Sequence, residues 1–310
     1  MERNDGLLQA VDARTRLAGS NAMELLLFSL GTREIFGINV FKVREVSRTP
    51  AITRAPNMPG GVEGLISLRG NVIPVLMLSR VLQIGQGAAN TCRSMMVTEY
   101  NKRTLGFLVH DVDRILRVEW GRVHAPDATL AGERSFITAI TELDDGRLVS
   151  ILDVEGILAE TFGEARVGEI EALSEQAVAN VFFVDDSTVA RKKIAEVLDK
   201  LGARHKHALN GREAWTRLSG LANHCDHLGV PLKSELDLIL VDAEMPEMDG
   251  YVLTRHIKAD PRFADIPVVM HSSLSSEANH AMGRSVGVDA YVAKFDAAVL
   301  ANTLRPLLNS

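Results

Sequence analysis

The sequence has few cysteines, no long apolar run and no excess of positive charge, and each absence narrows the class of protein. Cys92 and Cys225 are its two cysteines and lie far apart, so the sequence indicates no disulfide framework and fits a reducing cytoplasm. No stretch approaches the roughly 20 apolar residues of a membrane-spanning helix, and the first 17 residues lack the apolar segment of a secretion signal. The net charge of -6 disfavours nucleic acid as the main partner, and we find neither a helix-turn-helix signature nor a fixed-period repeat.

What remains is a globular composition, 46% hydrophobic and 24% charged, in 310 residues, a length that suits two domains. A short helix is expected over residues 1–20. Short apolar segments separated by turn-forming residues then follow, and such strands at this spacing are typical of a barrel or sandwich. The strands predicted in this half are 24–30, 34–38, 72–78, 94–99, 104–109 and 148–152. Residues 153–178 predict a closing helix and an acidic linker.

From residue 180 onward the pattern changes to strands that alternate with helices. Apolar runs at 181–184, 238–241, 267–270 and 290–293 are separated by helical segments, and the first helix shows an apolar stripe at three- and four-residue spacing. Such an alternation predicts a parallel sheet with right-handed crossovers.

Acidic residues end two of these apolar runs. Asp185 and Asp186 follow the first run, and Asp242 follows the run 238–241. Taken alone, such an acid can be an ordinary helix cap or turn residue. Neighbouring parallel strands, however, bring their carboxyl ends to one edge of a sheet, where open α/β folds place their chemistry. Three carboxylates there repel one another unless a cation lies among them, and hard oxygen ligands in a small site favour Mg2+.

The other two strand ends supply a hydroxyl and an amine. Ser272 follows the third run and Lys294 follows the fourth. A hydroxyl and an ammonium that face three acids and a metal form a site for a phosphoryl group, in which a carboxylate can be the nucleophile.

Residues 180–310 therefore resemble a response-regulator receiver domain, which has a doubly wound five-stranded fold with flavodoxin-like strand order. The resemblance implies that Asp242 is the phosphoacceptor. It also implies that Asp185 and Asp186 bind Mg2+ together with Asp242 and the backbone carbonyl of Glu244. The family's hydroxyl, lysine and aromatic switch correspond to Ser272, Lys294 and Tyr291.

Two features depart from the receiver pattern. Receivers usually carry Lys-Pro with a cis peptide bond where this chain has Lys294-Phe295. A cis bond without proline costs ~2.5–4 kcal/mol, so the sequence favours a trans bond and a slightly different place for the lysine. The stretch 221–235 is longer than usual for a receiver. We interpret it as a polar insertion with scattered histidines. A metal site remains an alternative, formed by His224, Cys225 and His227 of this stretch together with His205 and His207 before it.

The second distinctive motif lies in the first half of the chain. Residues 64–75 predict a strand, a turn at Arg69-Gly70-Asn71 and a second strand, and Phe36-Gly37-Ile38 precedes them. With these motifs, residues 20–160 resemble the CheW-type chemotaxis coupling domain. The resemblance implies a double SH3-like barrel, two small five-stranded β-barrels around a shared core, without enzymatic activity. It implies binding to chemoreceptor tips and to the histidine kinase CheA, with Arg69 near these contacts. Alternatively, Arg69 is only a solvated turn residue.

A coupling domain followed by a receiver resembles the CheV-type chemotaxis coupling proteins. We therefore expect an N-terminal helix at 1–20, a CheW-like domain at 21–160, a linker at 161–178 and a receiver at 179–310. The expected function is a chemotaxis adaptor that couples chemoreceptors to CheA and is regulated by phosphorylation of Asp242. The expected location is the cytoplasm, at membrane-associated receptor arrays, without insertion into the membrane.

Two other functions remain open from the residues alone. The receiver can serve as a phosphate sink that the first domain holds near the kinase. Asp242-Ala243-Glu244 also loosely resembles the DxD motif of haloacid-dehalogenase-type phosphohydrolases. That family has a second aspartate where this chain has Glu244, and the pair Asp185-Asp186 fits a receiver better.

Overall fold

The computed structural model describes residues 22–84, 92–100, 103–124, 126, 136–163, 167–173, 179–273, 277–294 and 296–309. The chain divides into two compact units, one that contains residues 22–164 and one that contains residues 165–310. The helix expected at 1–20 lies outside the described residues, as do parts of the expected linker. Among the helices described, none is both long and apolar enough to cross a membrane.

The first unit consists of two five-stranded sheets. The strands are β1 Ala22–Ser29, β2 Ile35–Asn39, β3 Val43–Arg48, β4 Val62–Leu68, β5 Asn71–Met77, β6 Ser94–Tyr100, β7 Arg103–Val109, β8 Asp111–Glu119, β9 Ile137–Glu142 and β10 Leu148–Leu152. One sheet has the order β8-β1-β2-β10-β9 and the other has the order β3-β6-β7-β5-β4. Two short helices, α1 Leu78–Val81 and α2 Val154–Phe162, accompany them.

Several inner strands of this unit are apolar on both faces because each sheet contributes to two cores. In β1, Leu26 and Phe28 pack into a core shared with the other sheet and with α2, whereas Leu25 and Leu27 pack into a core of their own sheet. The second sheet divides its side chains in the same way between the shared core and its own. A continuous apolar run can therefore form a strand in this unit, because both of its faces are buried. A strand that is buried on one face alternates apolar and polar residues instead. The expected pair of five-stranded β units around a shared core is confirmed.

A tight hairpin joins β4 and β5 at the predicted turn. Leu68 pairs with Asn71, so the loop consists of Arg69 and Gly70, and both have positive φ, at 50° and 84°. Two left-handed central residues define the turn type whose twist matches that of the flanking strands. The turn therefore holds the Arg69 side chain at the tip of the hairpin, where it is exposed.

The second unit is a parallel sheet covered by helices on both faces. Its strands are β11 Asn180–Val184, β12 Arg204–Ala208, β13 Leu238–Asp242, β14 Val268–Ser272 and β15 Ala290–Ala293. Its helices are α3 Thr188–Leu201, α4 Gly211–Leu228, α5 Gly250–Ala259, α6 Glu277–Val286 and α7 Ala297–Leu308. All pairings are parallel and the order is β12-β11-β13-β14-β15. This flavodoxin-like order confirms the expected receiver fold.

The central strand β13 is buried along its whole length. Ile239 and Val241 pack towards α4 and α5, and Leu238 and Leu240 pack towards α3 and α7. Burial on both faces explains why this strand lacks the alternation of a half-exposed one. It also carries Asp242 to a sheet edge that is flanked by helices on both sides.

The stretch 221–235 is mostly exposed and contains the end of one helix. The helix α4 continues to Leu228, and a short 3-10 helix, Leu232–Ser234, follows it. Cys225 is buried in the core between the sheet and α4. His205 and His207 pack against the ring of Phe183, at centroid distances of 5.7 and 5.3 Å. Among the described residues, these histidines and Cys225 form no cluster with the geometry of a metal site.

The segment 167–173, which we call the strap, is fastened to helices α3 and α7. Lys200 donates to the carbonyls of Val167 and Gly168 at 2.7 and 3.0 Å, and Arg305 donates to the carbonyl of Glu171 at 2.6 Å. The Leu173 amide donates to the carbonyl of the last residue of α3 at 2.9 Å. Val167, Ile170 and Leu173 pack against the core of the same unit. The strap is therefore part of the second unit, although it precedes the first strand of the sheet.

Gly64 provides a test of how closely β4 packs against the backbone at Thr53. A Cβ atom at this position would lie 2.6 Å from the Thr53 carbonyl oxygen, because β4 pairs closely with the backbone there. We expect Gly64→Ala to lower the free energy of unfolding of the first unit by about 1–3 kcal/mol, the usual cost of overpacking.

Thermal unfolding of the full chain measures this change. Gly60→Ala is the matched control, since a Cβ there meets no atom within 4 Å, and surface changes of this kind usually stay within about 0.5 kcal/mol. Equal unfolding temperatures for the two variants would contradict the close approach.

Candidate functional site

Three carboxylates meet at the carboxyl edge of the parallel sheet. Asp185 and Asp186 follow β11 directly, and Asp242 ends the neighbouring strand β13. One carboxylate oxygen from each lies within 4.8 Å of the other two. Asp185 is fully buried and Asp242 is 4% exposed, so water screens their negative charges only weakly. Within the described part of the chain, this is the one group of such side chains with the spacing of a metal site.

Lys294 opposes the charge of the two buried acids. Its ammonium lies 2.7 Å from Asp185 Oδ2 and 2.8 Å from Asp242 Oδ2. The Lys294 amide donates to the Ser272 carbonyl at 2.8 Å, which fixes the start of the side chain at the end of β15. A buried charge is tolerated only when it is paired, so this amine and these acids depend on each other.

Arg191, on the first turns of α3, supports the loop that carries the acid pair. Its Nη1 donates to the carbonyls of Asp185 and Asp186 at 2.9 and 2.8 Å. Ser187 caps the same helix by accepting from the Ala190 amide, and the Ser187 amide donates to Asp185 Oδ1. The helix cap is thus the serine, and neither of the two aspartates before it caps the helix.

The loop after Asp242 folds back against it. The Gly250 amide donates to the Ala243 carbonyl at 3.0 Å, and a Cβ at Gly250 would overlap the Asp242 carbonyl oxygen. Asp249 caps α5 by accepting from the Val252 amide at 2.7 Å. The Glu244 amide lies 3.4 Å from Asp242 Oδ1. Glycine at position 250 therefore lets helix α5 begin directly beside the central carboxylate.

A hydroxyl and two phenols complete this edge of the sheet. Ser272 is fully buried at the end of β14, and Tyr291 lies on β15. Burial raises the pKa of Tyr291 to about 12, and hydrogen bonding with Ser272 and Tyr251 acts in the opposite direction. Burial also raises the pKa of Tyr251, with a further contribution from Tyr291. Both phenols therefore stay protonated at neutral pH.

His271, on the strand beside Asp242, is also buried at this edge. Burial lowers the pKa of its imidazole well below the usual value, and the positive charge of Lys294 lowers it further. The imidazole is therefore neutral at neutral pH, and Lys294 is the cation that balances the acids.

The structure brings the described residues that sequence reasoning selected to one edge of the sheet, and it adds others to the site. Asp185, Asp186, Asp242 and Lys294 meet directly, and Ser272 and Tyr291 lie on the two adjoining strands. Their roles in phosphorylation stay predictions, as does the metal contact of the Glu244 carbonyl. Phe295 lies outside the described residues.

Sequence reasoning missed Arg191, His271 and Tyr251. Helical spacing offers a signal for Arg191, because a residue one turn into α3 reaches back to the loop before the helix. The sequence offers no comparable signal for Tyr251, because its contact with Tyr291 depends on how α5 packs against the sheet.

Arg69 in the first unit has a modest structural role. Its side chain is 79% exposed and forms an ion pair with Glu45 on β3. Exposed ion pairs usually contribute about 0–1 kcal/mol, so this contact alone does not explain an arginine at the hairpin tip.

Comparisons with known families agree with this division into units. Residues 24–162 match the family model of the CheW-like domain, and residues 181–305 match that of the response regulator receiver domain. These two domains together define a chemotaxis coupling adaptor that is regulated through its receiver.

Two relatives match this chain along most of its length. The chain is 31% identical to the chemotaxis protein CheV3 of Helicobacter pylori over 279 residues, which cover 89% of each chain. It is 30% identical to CheV1 of the same organism, over 93% of this chain and 94% of the relative. The chain belongs to the CheV family of chemotaxis proteins.

Lys294 provides a test of the charge balance in the acidic cluster. We expect Lys294→Ala, measured with a chelator present, to lower the free energy of unfolding by about 3–5 kcal/mol, because removal of one partner leaves buried charges unpaired. Since the ammonium competes with a cation for the same oxygens, added Mg2+ should stabilise this variant more than it stabilises the natural chain.

Melting temperatures with chelator and with Mg2+ measure both effects. Lys192→Ala is the control, because Lys192 is exposed on the same helix that carries Arg191. Equal shifts of the melting temperatures of Lys294→Ala and the natural chain with Mg2+ would contradict the proposed competition between the ammonium and the cation.

Proposed function

We propose that Asp242 accepts a phosphoryl group from the histidine kinase of the chemotaxis system and that this modification regulates coupling through the first unit. The observation that carries the proposal is the meeting of Asp185, Asp186 and Asp242 opposite Lys294 at one buried sheet edge. Such a site binds a phosphoryl group through a metal and an ammonium, and offers a carboxylate as the nucleophile. The chain receives and holds the group, and the proposal assigns it no turnover reaction.

The donor set fits Mg2+. Carboxylate oxygens are the ligands that this ion prefers, and three of them lie close together at one site. Asp185, Asp186 and Asp242 would hold the ion, with the carbonyl of Glu244 as a further ligand. When bound, the ion supplies positive charge that offsets the negative charge of the phosphoryl oxygens.

The residues of the chain then have separate tasks. A carboxylate oxygen of Asp242 forms a bond to phosphorus while the bond from phosphorus to the kinase histidine breaks. Lys294 and Ser272 contact the oxygens of the transferred group, and Lys294 exchanges part of its pairing with Asp242 for this contact. Tyr291 follows Ser272 as the switch residue, because the two side chains already interact. Phosphorylation can change coupling only through such differences between the two states.

The first unit supplies the contacts to the signalling complex. We place the tips of chemoreceptors and the kinase CheA among its partners, with Arg69 at or near the contact. An exposed arginine at the tip of a rigid hairpin is a suitable anchor, since arginine is enriched at binding hot spots. The corresponding location is the cytoplasmic side of receptor arrays. The proposed boundaries are a helix at 1–20, a coupling domain at 21–160, a linker at 161–178 and a receiver at 179–310.

Phosphotransfer to the full chain tests the role of Asp242. With phosphorylated kinase and Mg2+, we expect the natural chain to take up about one phosphoryl group and Asp242→Asn to take up none, because an amide is not a nucleophile of this kind. Asp265→Asn is the matched control, because Asp265 is exposed away from the cluster. Stoichiometric labelling of Asp242→Asn would overturn the assignment.

Regulation of coupling is a separate measurement on the same materials. Kinase activity is measured in receptor–kinase assemblies that contain either the natural chain or Asp242→Asn, with and without phosphorylation. A phosphorylation-dependent difference that Asp242→Asn lacks is the expected result. Equal coupling in both states would instead make the receiver a phosphate sink.

The role of Arg69 is tested by binding. We expect Arg69→Ala to weaken binding to receptor tips or kinase about tenfold, the effect of a hot spot of about 1.4 kcal/mol. Alanine keeps the same backbone cost at positive φ, so the hairpin should fold unchanged. Arg33→Ala, at another exposed loop position of the same unit, is the control. Unchanged affinities of Arg69→Ala for both partners would indicate that Arg69 is only a solvated turn residue.

A further inference from the structure

Asp185 and Asp186 lie on a loop that begins where the regular pairing of the sheet ends. The pairing of β11 with its two neighbours stops at Val184, the residue before them. The next bond to β12 runs from the Asp185 amide to the Ala208 carbonyl and is long, at 3.4 Å. The positions of both carboxylates therefore depend on contacts that the loop makes outside the sheet.

Arg191, in the first turn of α3, supplies such contacts. Its Nη1 donates to the carbonyls of Asp185 and Asp186 at 2.9 and 2.8 Å, and its Nη2 donates to Thr188 Oγ1 at 3.0 Å. The Arg191 side chain is half-buried, so these bonds are partly removed from water. Hydrogen bonds from a charged donor are also stronger than those between neutral groups. One guanidinium thus ties two successive carbonyls of the loop to the helix that follows.

The two bonded carbonyls lie on either side of the Asp186 Cα atom. The peptide group before Asp186 carries the Asp185 carbonyl, and the peptide group after it carries the carbonyl of Asp186 itself. Peptide groups are planar, so fixing both carbonyl directions leaves little freedom in the two backbone dihedrals between them. Those dihedrals set the direction in which the Asp186 side chain leaves the backbone. Arg191 therefore orients the Asp186 carboxylate through the main chain.

The other two acids of the cluster are held through their carboxylates. The Lys294 ammonium lies 2.7 Å from Asp185 and 2.8 Å from Asp242, and Asp185 Oδ1 also accepts from the Ser187 amide at 3.0 Å. Both of these acids are almost fully buried, whereas Asp186 is half-buried. The main-chain anchor thus acts on the least buried acid of the three.

We propose that Arg191 is a positioning residue of the cation site and that, by orienting Asp186, it makes the site prefer Mg2+ to the larger Ca2+. The inference rests on the proposed function and deepens it, because it concerns the selectivity of the same metal site. Mg2+ requires oxygens at about 2.0–2.1 Å in a nearly octahedral arrangement, whereas Ca2+ accepts about 2.3–2.6 Å and variable arrangements. A carboxylate whose backbone can shift is therefore a greater loss for Mg2+ than for Ca2+.

The charge of Arg191 alone would act in the opposite direction. A guanidinium near the acids repels an incoming cation, so removal of its charge would by itself strengthen metal binding. Removal of the anchor lets the loop move, which weakens metal binding. Because the two effects have opposite signs, the direction of the measured change distinguishes them.

The experiment measures the affinity of the full chain for magnesium chloride and for calcium chloride, each added alone. Affinity is read from the protection of the second unit against thermal unfolding as the metal concentration rises. We expect Arg191→Ala to bind Mg2+ about tenfold more weakly, an effect typical of residues that orient metal ligands. The loss of affinity for Ca2+ should stay below about threefold, because Ca2+ tolerates a less regular site.

Two further variants separate the anchor from charge and from folding. Lys192→Ala removes the same charge from the next residue of α3, whose side chain is exposed, and its affinity for either ion should not fall. Arg191→Lys keeps the charge but lacks the planar fork, so its Mg2+ affinity should lie between those of Arg191→Ala and the natural chain. If Arg191→Ala does not fold, Arg191→Lys carries the test, with weaker Mg2+ binding and unchanged Ca2+ binding as the expected result.

The outcomes distinguish this inference from the function on which it rests. Mg2+ binding by Arg191→Ala that equals or exceeds that of the natural chain would overturn the inference, and so would an equal loss of affinity for the two ions. If the natural chain still accepts a phosphoryl group with Mg2+, the proposed function stands in either case. If Mg2+ does not protect the natural chain and no phosphoryl group is taken up, the proposed function fails and the inference with it.

Discussion

The balance between Lys294 and the buried carboxylates is the interaction on which the second unit depends. Two acids with almost no exposure lie at the ends of adjacent strands, and a single ammonium contacts both within 2.8 Å. Such an arrangement is costly to bury and contributes little net stability. Its value is that the charges can be redistributed. Under the proposed function, a cation or a phosphoryl group at this edge would change which partner each charge has.

The fold makes this concentration of charge possible. A parallel sheet with β13 buried on both faces sends Asp242 to an edge flanked by helices, and pairing with β11 brings the acid pair beside it. Arg191, Gly250 and the cap at Ser187 then fix the loops around the carboxylates. The first unit also has strands that are buried on both faces, but there they build a core that the two sheets share. The hairpin of β4 and β5 is exposed at its tip.

The sequence predicted every inner strand of the three sheets but only two of the six outermost strands, β4 and β15. The four strands that escaped prediction are β3, β8, β9 and β12, and each is the outermost strand of its sheet. Edge strands carry charged residues that discourage pairing with other chains, as Arg204 to His207 illustrate in β12, and these charges remove the apolar pattern. At the site, strand ends were sufficient to select the acids, Ser272 and Lys294. Contacts that depend on helix packing, such as that between Tyr251 and Tyr291, have no local signature, whereas helical spacing offers a signal for Arg191.

The strap changes how the second unit is connected to the chain that precedes it. Val167 to Leu173 is bonded to α3 and α7 before the chain reaches β11. The chain therefore contacts the second unit first at two outer helices, α3 and α7, and only afterwards enters the sheet. A small displacement of α7 would therefore also move the segment before β11, because Arg305 is bonded to Glu171. The sheet itself would not need to deform.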